Sequence, residues 1–261
     1  MCLYFKFSCY LLLILSYTSL PAFSEELTKL LDYPTIKVPS GNFDLYIPIP
    51  YPTGFKHIRK PVTFESGFEI GKYEVSNKLW NECFKRGGCS REAETLEGEK
   101  ENHPAVRVNW HDVVQFTKWF SNATGNKYRL PTEEEWVYAV YMGKSHKEVV
   151  EEYDYSDLTK IRKVVKLTEP LGTYKENEWG LADFTGNVWE WTLTCWYGSE
   201  ENILAKRSLE ELSDTKTCST RIALGENRSH IPDFIKDTYN GGCASLRPAA
   251  NLGFRLIKEG S

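Results

Sequence analysis

The twelve residues Gly180-Leu181-Ala182-Asp183-Phe184-Thr185-Gly186-Asn187-Val188-Trp189-Glu190-Trp191 pack two tryptophans, two carboxylates and a Gly-Asn turn into one short stretch. The carboxylates, Asp183 and Glu190, suit a hard cation. Calcium takes six to eight oxygens, and a turn that offers carboxylates with backbone carbonyls between them can supply most of one shell. The same two acids could instead do no more than cap the turn. Trp189 and Trp191 flank Glu190, so in an extended run both rings point the same way. Five cysteines follow the first 24 residues: Cys83, Cys89, Cys195, Cys218 and Cys243. In an oxidising compartment disulfides are the expected use, and the odd count leaves at least one thiol over. His57, His103, His111, His146 and His230 are scattered, and no pair stands on one helix face as a zinc site needs. His111 is expected on the solvent face of its helix. Arg255 reads as a structural arginine buried against a carboxylate or carbonyls. Asn122-Ala123-Thr124 and Asn227-Arg228-Ser229 fit the glycosylation pattern, which matters only in a eukaryotic secretory pathway.

The elements that must position these residues are short. Ile36–Phe43 alternates and breaks at a Pro/Gly turn, which reads as a strand entering a hairpin, followed by a Pro-rich loop (Pro48, Pro50, Pro52). A second extended run covers Phe68–Val75. Ser76 or Asn77 can cap a helix that would bury Leu79, Trp80, Cys83 and Phe84 by i, i+3, i+4 spacing, with Gly87-Gly88 ending it. Residues 90–102 read as a solvated loop and Val106-Arg107-Val108 as a short strand. Asn109 is a cap for a helix whose stripe is Trp110, Val113, Val114, Thr117 and Phe120, closed at Thr124-Gly125-Asn126. Thr132-Glu133-Glu134-Glu135 is a capping box with three acids at the positive helix end. Residues 143–170 read as a charged surface excursion, and 197–238 as polar and irregular.

With 261 residues, 41% hydrophobic and 14% aromatic, the chain can build one sizeable core. A net charge of −4 and the lack of a basic stripe argue against nucleic-acid binding. Residues 1–24 stand apart. Lys6 precedes the apolar run Tyr10–Leu15, and Ala22-Phe23-Ser24 fits a signal-peptidase site. The run is short for a membrane span, so a cleaved signal is expected, with an uncleaved anchor as the alternative. The mature chain, 25–261, would then be one secreted or periplasmic domain, monomeric, with no stable membrane insertion.

Three motifs, Lys127–Trp136, Gly180–Trp191 and Asn251-Leu252-Gly253-Phe254-Arg255-Leu256, resemble those of the formylglycine-generating enzyme family, also called the sulfatase-modifying-factor family. The resemblance covers about 36–258 with the segments in the family's order. It implies an α+β fold of the irregular C-type-lectin-like kind, with short strands, few helices and many ordered loops. It implies a structural calcium held by the side chains of Asp183 and Glu190 and the carbonyls of Gly186 and Val188. It implies that Trp189 lines the substrate groove, with core packing as the alternative, while Trp191 belongs to the core. The family's activity is oxidation of a substrate cysteine to formylglycine, with Cu(I) held by two cysteines after a Gly-Gly-Ser-aromatic motif.

Here the equivalent stretch, Gly241-Gly242-Cys243-Ala244-Ser245-Leu246, lacks that pair, and the spacer before Gly253-Phe254-Arg255 is shortened. Other family members imply bridges Cys83–Cys89 and Cys195–Cys218. Cys243 would then be alone, as a buried substitute for serine or as a reactive thiol, and a single thiolate cannot form the linear Cu(I) site. Cys243 and Trp189 remain the candidate catalytic positions. Three functions compete: cysteine oxidation, which the missing pair argues against; maturation of a peptide or small molecule in the same groove, as in siderophore-maturation members; and a non-catalytic lectin-fold binding module.

Overall fold

The alternating N-terminal run forms strand β1 (Thr35–Val38) and leads into a long hairpin of β2 (Gly41–Tyr51) and β3 (Gly54–Phe64). Pro48 and Pro50 therefore lie within a strand rather than a loop. The reason is parity. The amide of Tyr46, two residues before Pro48, points away from β3 to Nε2 of His146 at 3.4 Å. Pro48 and Pro50 share that outward side, so neither removes a ladder hydrogen bond. Pro52 lies outside the described residues. The computed structural model describes residues 29, 31–51, 54–151, 167–196, 199–214, 216, 218, 220–225, 233–235 and 251–260. The chain divides into Met1–Asp32 and Tyr33–Ser261. The expected signal, 1–24, falls outside the described residues, and everything below concerns the second unit.

β4 (Phe68–Gly71) ends at a glycine packed on the Tyr33 ring, and helix α1 (Asn77–Lys85) follows, capped by Ser76 Oγ, which accepts from Leu79 N at 3.1 Å. Its inner face is Leu79, Trp80 and Cys83, whereas Phe84 turns outward and is 36% exposed. Helix α2 (Trp110–Thr124) is capped by Asn109 and closed by Gly125 at φ 72°. Its buried stripe contains Phe116 where the sequence pattern favoured Val114. Phe116 stacks on Trp80 at 5.6 Å and meets Phe254 edge-on at 5.3 Å, and this aromatic cluster sets the helix's rotation. The segment 106–108 is not a strand, because Arg107 adopts φ 59°. The Arg107 side chain instead bonds Glu99 and the Glu94 carbonyl, which draws part of the 90–102 loop inward.

β5 (Tyr128–Arg129) precedes α3 (Glu133–Tyr141), where Thr132 and Glu135 form the reciprocal capping box. α4 (Lys147–Glu151) opens the charged segment, whose residues 152–166 lie outside the described set. Its ends are not surface: His146 is buried against Tyr141 and Phe43, and Thr168 bonds Nδ1 of buried His103 at 3.1 Å.

β6 (Trp189–Cys195), α5 (Glu200–Leu204), α6 (Leu209–Ser213), β7 (Arg221–Gly225) and β8 (Asp233–Ile235) follow, and β9 (Leu252–Gly253) and β10 (Ile257–Lys258) close the order. β7 is buried along its whole length and lies inside what the sequence presents as an irregular tract. One four-stranded sheet runs β1-β4-β10-β5 and another β8-β7-β6-β9, with β9 parallel to β6. One core cluster gathers Leu45, Ile70, Trp136, Ile222 and Ile257 from the hairpin, both sheets and α3, together with Leu181. Bridges Cys83–Cys89 and Cys195–Cys218 close with Cα separations of 5.3 and 5.7 Å.

Candidate functional site

The register Glu190↔Gly253 brings Arg255, two residues on, to the Glu190 carboxylate. Gly253 is required there, because a Cβ would sit 2.9 Å from the Ala105 carbonyl. Arg255 Nε and Nη2 donate to the two Glu190 oxygens at 2.6 Å each, and Trp136 Nε1 donates to Oε2 at 2.8 Å. The remaining guanidinium hydrogens go to the carbonyls of Gly71, Lys72 and Ala182, all at 3.1 Å. Both side chains are fully buried. Burial works against the Arg255 charge, but Glu190 outweighs it and holds the guanidinium above its ordinary pKa.

Asp183, at φ 61° and also fully buried, accepts from Gly172 N at 2.6 Å and Tyr174 N at 2.8 Å. Asn187, at φ 60°, exchanges hydrogen bonds with the Glu169 backbone at 2.9 and 3.2 Å. Asp and Asn tolerate this left-handed conformation because their short polar side chains bond locally. The segment therefore grips 169–174 on one side and the C-terminal strands on the other.

This bears on calcium. Gly186 and Val188 lie in the same buried segment, and the Val188 carbonyl packs so closely on Gly225 that a Cβ there would come within 2.8 Å. All four oxygens of Asp183 and Glu190 already accept hydrogen bonds, those of Glu190 from a guanidinium. Among the described residues no three His, Cys, Asp or Glu side chains converge to hold a metal. In this arrangement the donor set does not fit the ion.

Glu74 was not singled out by the sequence. Both of its oxygens are buried and without a hydrogen-bond partner. Burial pushes its carboxyl well above the usual range, Arg255 opposes the shift, and Glu190 and Asp183 add to it. Glu74 thus stands unpartnered beside the charged pair, its ionisation opposed by burial. Trp191 donates from Nε1 to the Val108 carbonyl at 2.9 Å in the core, as expected. Trp189 is also buried, at 6% exposure, with its amide on the Asn251 carbonyl at 2.8 Å. Cys243 lies outside the described residues. His111 is half-buried, and burial with the nearby Arg221 lowers its pKa.

A cavity of about 620 Å³ opens elsewhere, between the β2–β3 hairpin, the start of α3, the end of β6 and residues 202–212. Trp189 is not among its lining residues. Glu133 is, at 3% exposure, and burial pushes its carboxyl up to about 8, with Glu134 adding and Lys60 opposing. The sequence carried a hint of this. A capping box needs only Glu135, which leaves Glu133 and Glu134 for other duties.

The sulfatase-modifying factor enzyme 1-like domain matches residues 25–260. The chain is 30% identical over 118 residues to the formylglycine-generating enzyme of Mycobacterium tuberculosis, covering 38% of this chain and 36% of that protein. It is 24% identical over 161 residues to the inactive C-alpha-formylglycine-generating enzyme 2 of Bos taurus, covering 56% and 52%. The aligned parts span between 31% and 62% of the curated relatives' own lengths. In fold, the chain is similar to the structure of PvdO from Pseudomonas aeruginosa, with TM-score 0.62, 23% identity, and coverage of 86% of this chain and 94% of that one.

Proposed function

The chain belongs to the sulfatase-modifying factor family, and from that premise we propose that it is an exported member which has lost copper-dependent cysteine oxidation and acts by binding. One observation carries the reading. The two bridges use Cys83, Cys89, Cys195 and Cys218, four of the five cysteines that follow residue 24. Cys243 then has no second thiol with which to hold Cu(I) in linear coordination, and soft two-thiolate ligation is what that ion requires. The inactive relative from Bos taurus supports the view that the fold persists in proteins described as inactive.

The binding surface in this reading is a groove at Trp189, with a protein, peptide or small molecule as occupant. Its chemistry is recognition rather than turnover, since function on a shared fold follows the site and not the scaffold. Bridges of this kind suit an oxidising compartment. No helix among the described residues is long and apolar enough to cross a membrane.

The test is mass spectrometry of a cysteine-containing sulfatase peptide incubated with the copper-supplemented mature protein in air. The peptide should be recovered unchanged. Aldehyde formation that is lost in Cys243→Ser would overturn the reading.

A further inference from the structure

The cavity at the start of α3 holds a feature that the fold does not explain. Its cationic lining residues that reach inward already have acid partners: Lys60 pairs with Glu134 at 2.7 Å, and Arg129 with Glu135 at 2.6 Å and Glu259 at 3.0 Å. Arg207 is bonded to the backbone of its own excursion, at the Asn202 and Ala205 carbonyls. Lys206 and Glu65 stand exposed at the rim. Glu133 is different. It is nine-tenths buried and lines the cavity. Its amide donates to Thr194 Oγ1 at 2.8 Å, no hydrogen bond or ion pair joins its carboxyl to a described residue, and Lys60 attracts it without closing on it.

The Glu133 oxygens are absent from the sealed polar atoms of the core, so they face the cavity, where a poorly solvated carboxyl favours an incoming cationic partner. It stands in the first turn of a nine-residue helix, where the positive end of the dipole favours its ionised form. Ile47, Val62, Phe64, Ile203, Leu212 and Ile222 supply the apolar part of the lining, beside the ion-paired Lys60 and Arg129. A volume of 620 Å³ lies within the range of small-molecule sites, which pair an apolar lining with few polar groups.

We propose that this cavity binds a small molecule carrying one ammonium group on an apolar body, with Glu133 as its counter-ion. The inference does not depend on the loss of copper chemistry, and either can fail alone. The wall that completes the cavity, residues 202–212, is tethered by the Cys195–Cys218 bridge, and Cys195 itself lines the space. Binding is proton-linked, because the carboxyl that is protonated in the empty cavity ionises against the incoming cation. Affinity therefore rises with pH up to about 8 and levels off above it.

The experiment is calorimetric titration of the mature, disulfide-intact protein with phenethylammonium chloride from pH 6 to 9. Each pH is run in two buffers of different ionisation enthalpy. Affinity should rise by about tenfold per pH unit below the plateau, with roughly one proton released per ligand. Glu133→Gln should abolish that pH dependence and weaken binding. Ile203→Trp, which fills the cavity and leaves Glu133 in the sequence, should abolish binding. The neutral isostere 2-phenylethanol should show no pH dependence. Absence of binding in the wild-type protein, unchanged binding in Glu133→Gln, or a preference for 3-phenylpropionate over the ammonium probe would overturn the proposal. The last of these would assign the cavity to an anion held by Lys60 or Lys206.

Discussion

Glu190 and Arg255 form a closed set of bonds in which every guanidinium hydrogen and both carboxylate oxygens have partners. A buried pair of this kind is costly to break from one side, since the survivor keeps its charge without a counter-ion. Arg255→Met or Glu190→Gln should each lower stability by about 3–5 kcal/mol, read from urea midpoints. Glu74 and Glu133 predict a pH effect of defined sign. Both carboxyls are raised in the folded protein, so the native state holds protons that the unfolded chain releases. Their contribution is intact below the ordinary carboxylate pKa of about 4.5 and is lost as pH rises, for Glu133 up to about 8. The loss is up to about 1.4 kcal/mol per pH unit for each group. Glu74→Gln and Glu133→Gln should flatten urea midpoints between pH 5 and 8, and a slope equal to wild type would mean that these acids are ionised in the fold. Because the oxygens of Asp183 and Glu190 are already occupied, added calcium should leave the melting temperature unchanged. A rise would show that the two carboxylates reorganise around the ion.

At the scale of elements, the Cys195–Cys218 bridge anchors the excursion that carries α5 and α6. Its replacement by two alanines should cost about 3 kcal/mol through the freer unfolded chain, seen as a lower melting temperature, with looser walls around Glu133. Helices whose signals are local were legible in the sequence. Thr132 and Glu135 cap α3, Asn109 and Gly125 delimit α2, and Ser76 starts α1, each from chemistry within a few residues. The full β2–β3 hairpin was not legible, because its three prolines, Pro48, Pro50 and Pro61, are tolerated only by strands with an open side, and the neighbours decide that. β7 was missed because Arg221, at its start, is buried over the Trp110 ring at 3.9 Å and bonds the carbonyls of Leu193 and Leu212. An arginine there looks like surface until its partners are in place. Glu133 was read only as a helix-end charge, since nothing local says that the hairpin will cover it.

For the whole molecule, the twelve-residue segment from Gly180 to Trp191 works as a junction. It fixes 169–174 through Asp183 and Asn187, β9 through its register, and the C-terminal strands through Glu190. The family was legible from this segment because its residues satisfy contacts from distant parts of the chain at once. The bridges Cys83–Cys89 and Cys195–Cys218 were implied by the family resemblance, and the structure has both. In the proposed reading stability and catalysis have separated: the junction residues hold the fold, while 241–250 has a single cysteine where the family's copper pair would stand. The most direct test of that claim is an anaerobic Cu(I) titration of the mature protein against a competing chelator, with its disulfides intact. No binding above the chelator background is the expected result. Tight one-to-one binding would mean that a second thiol meets Cys243, and would contradict the loss of copper chemistry.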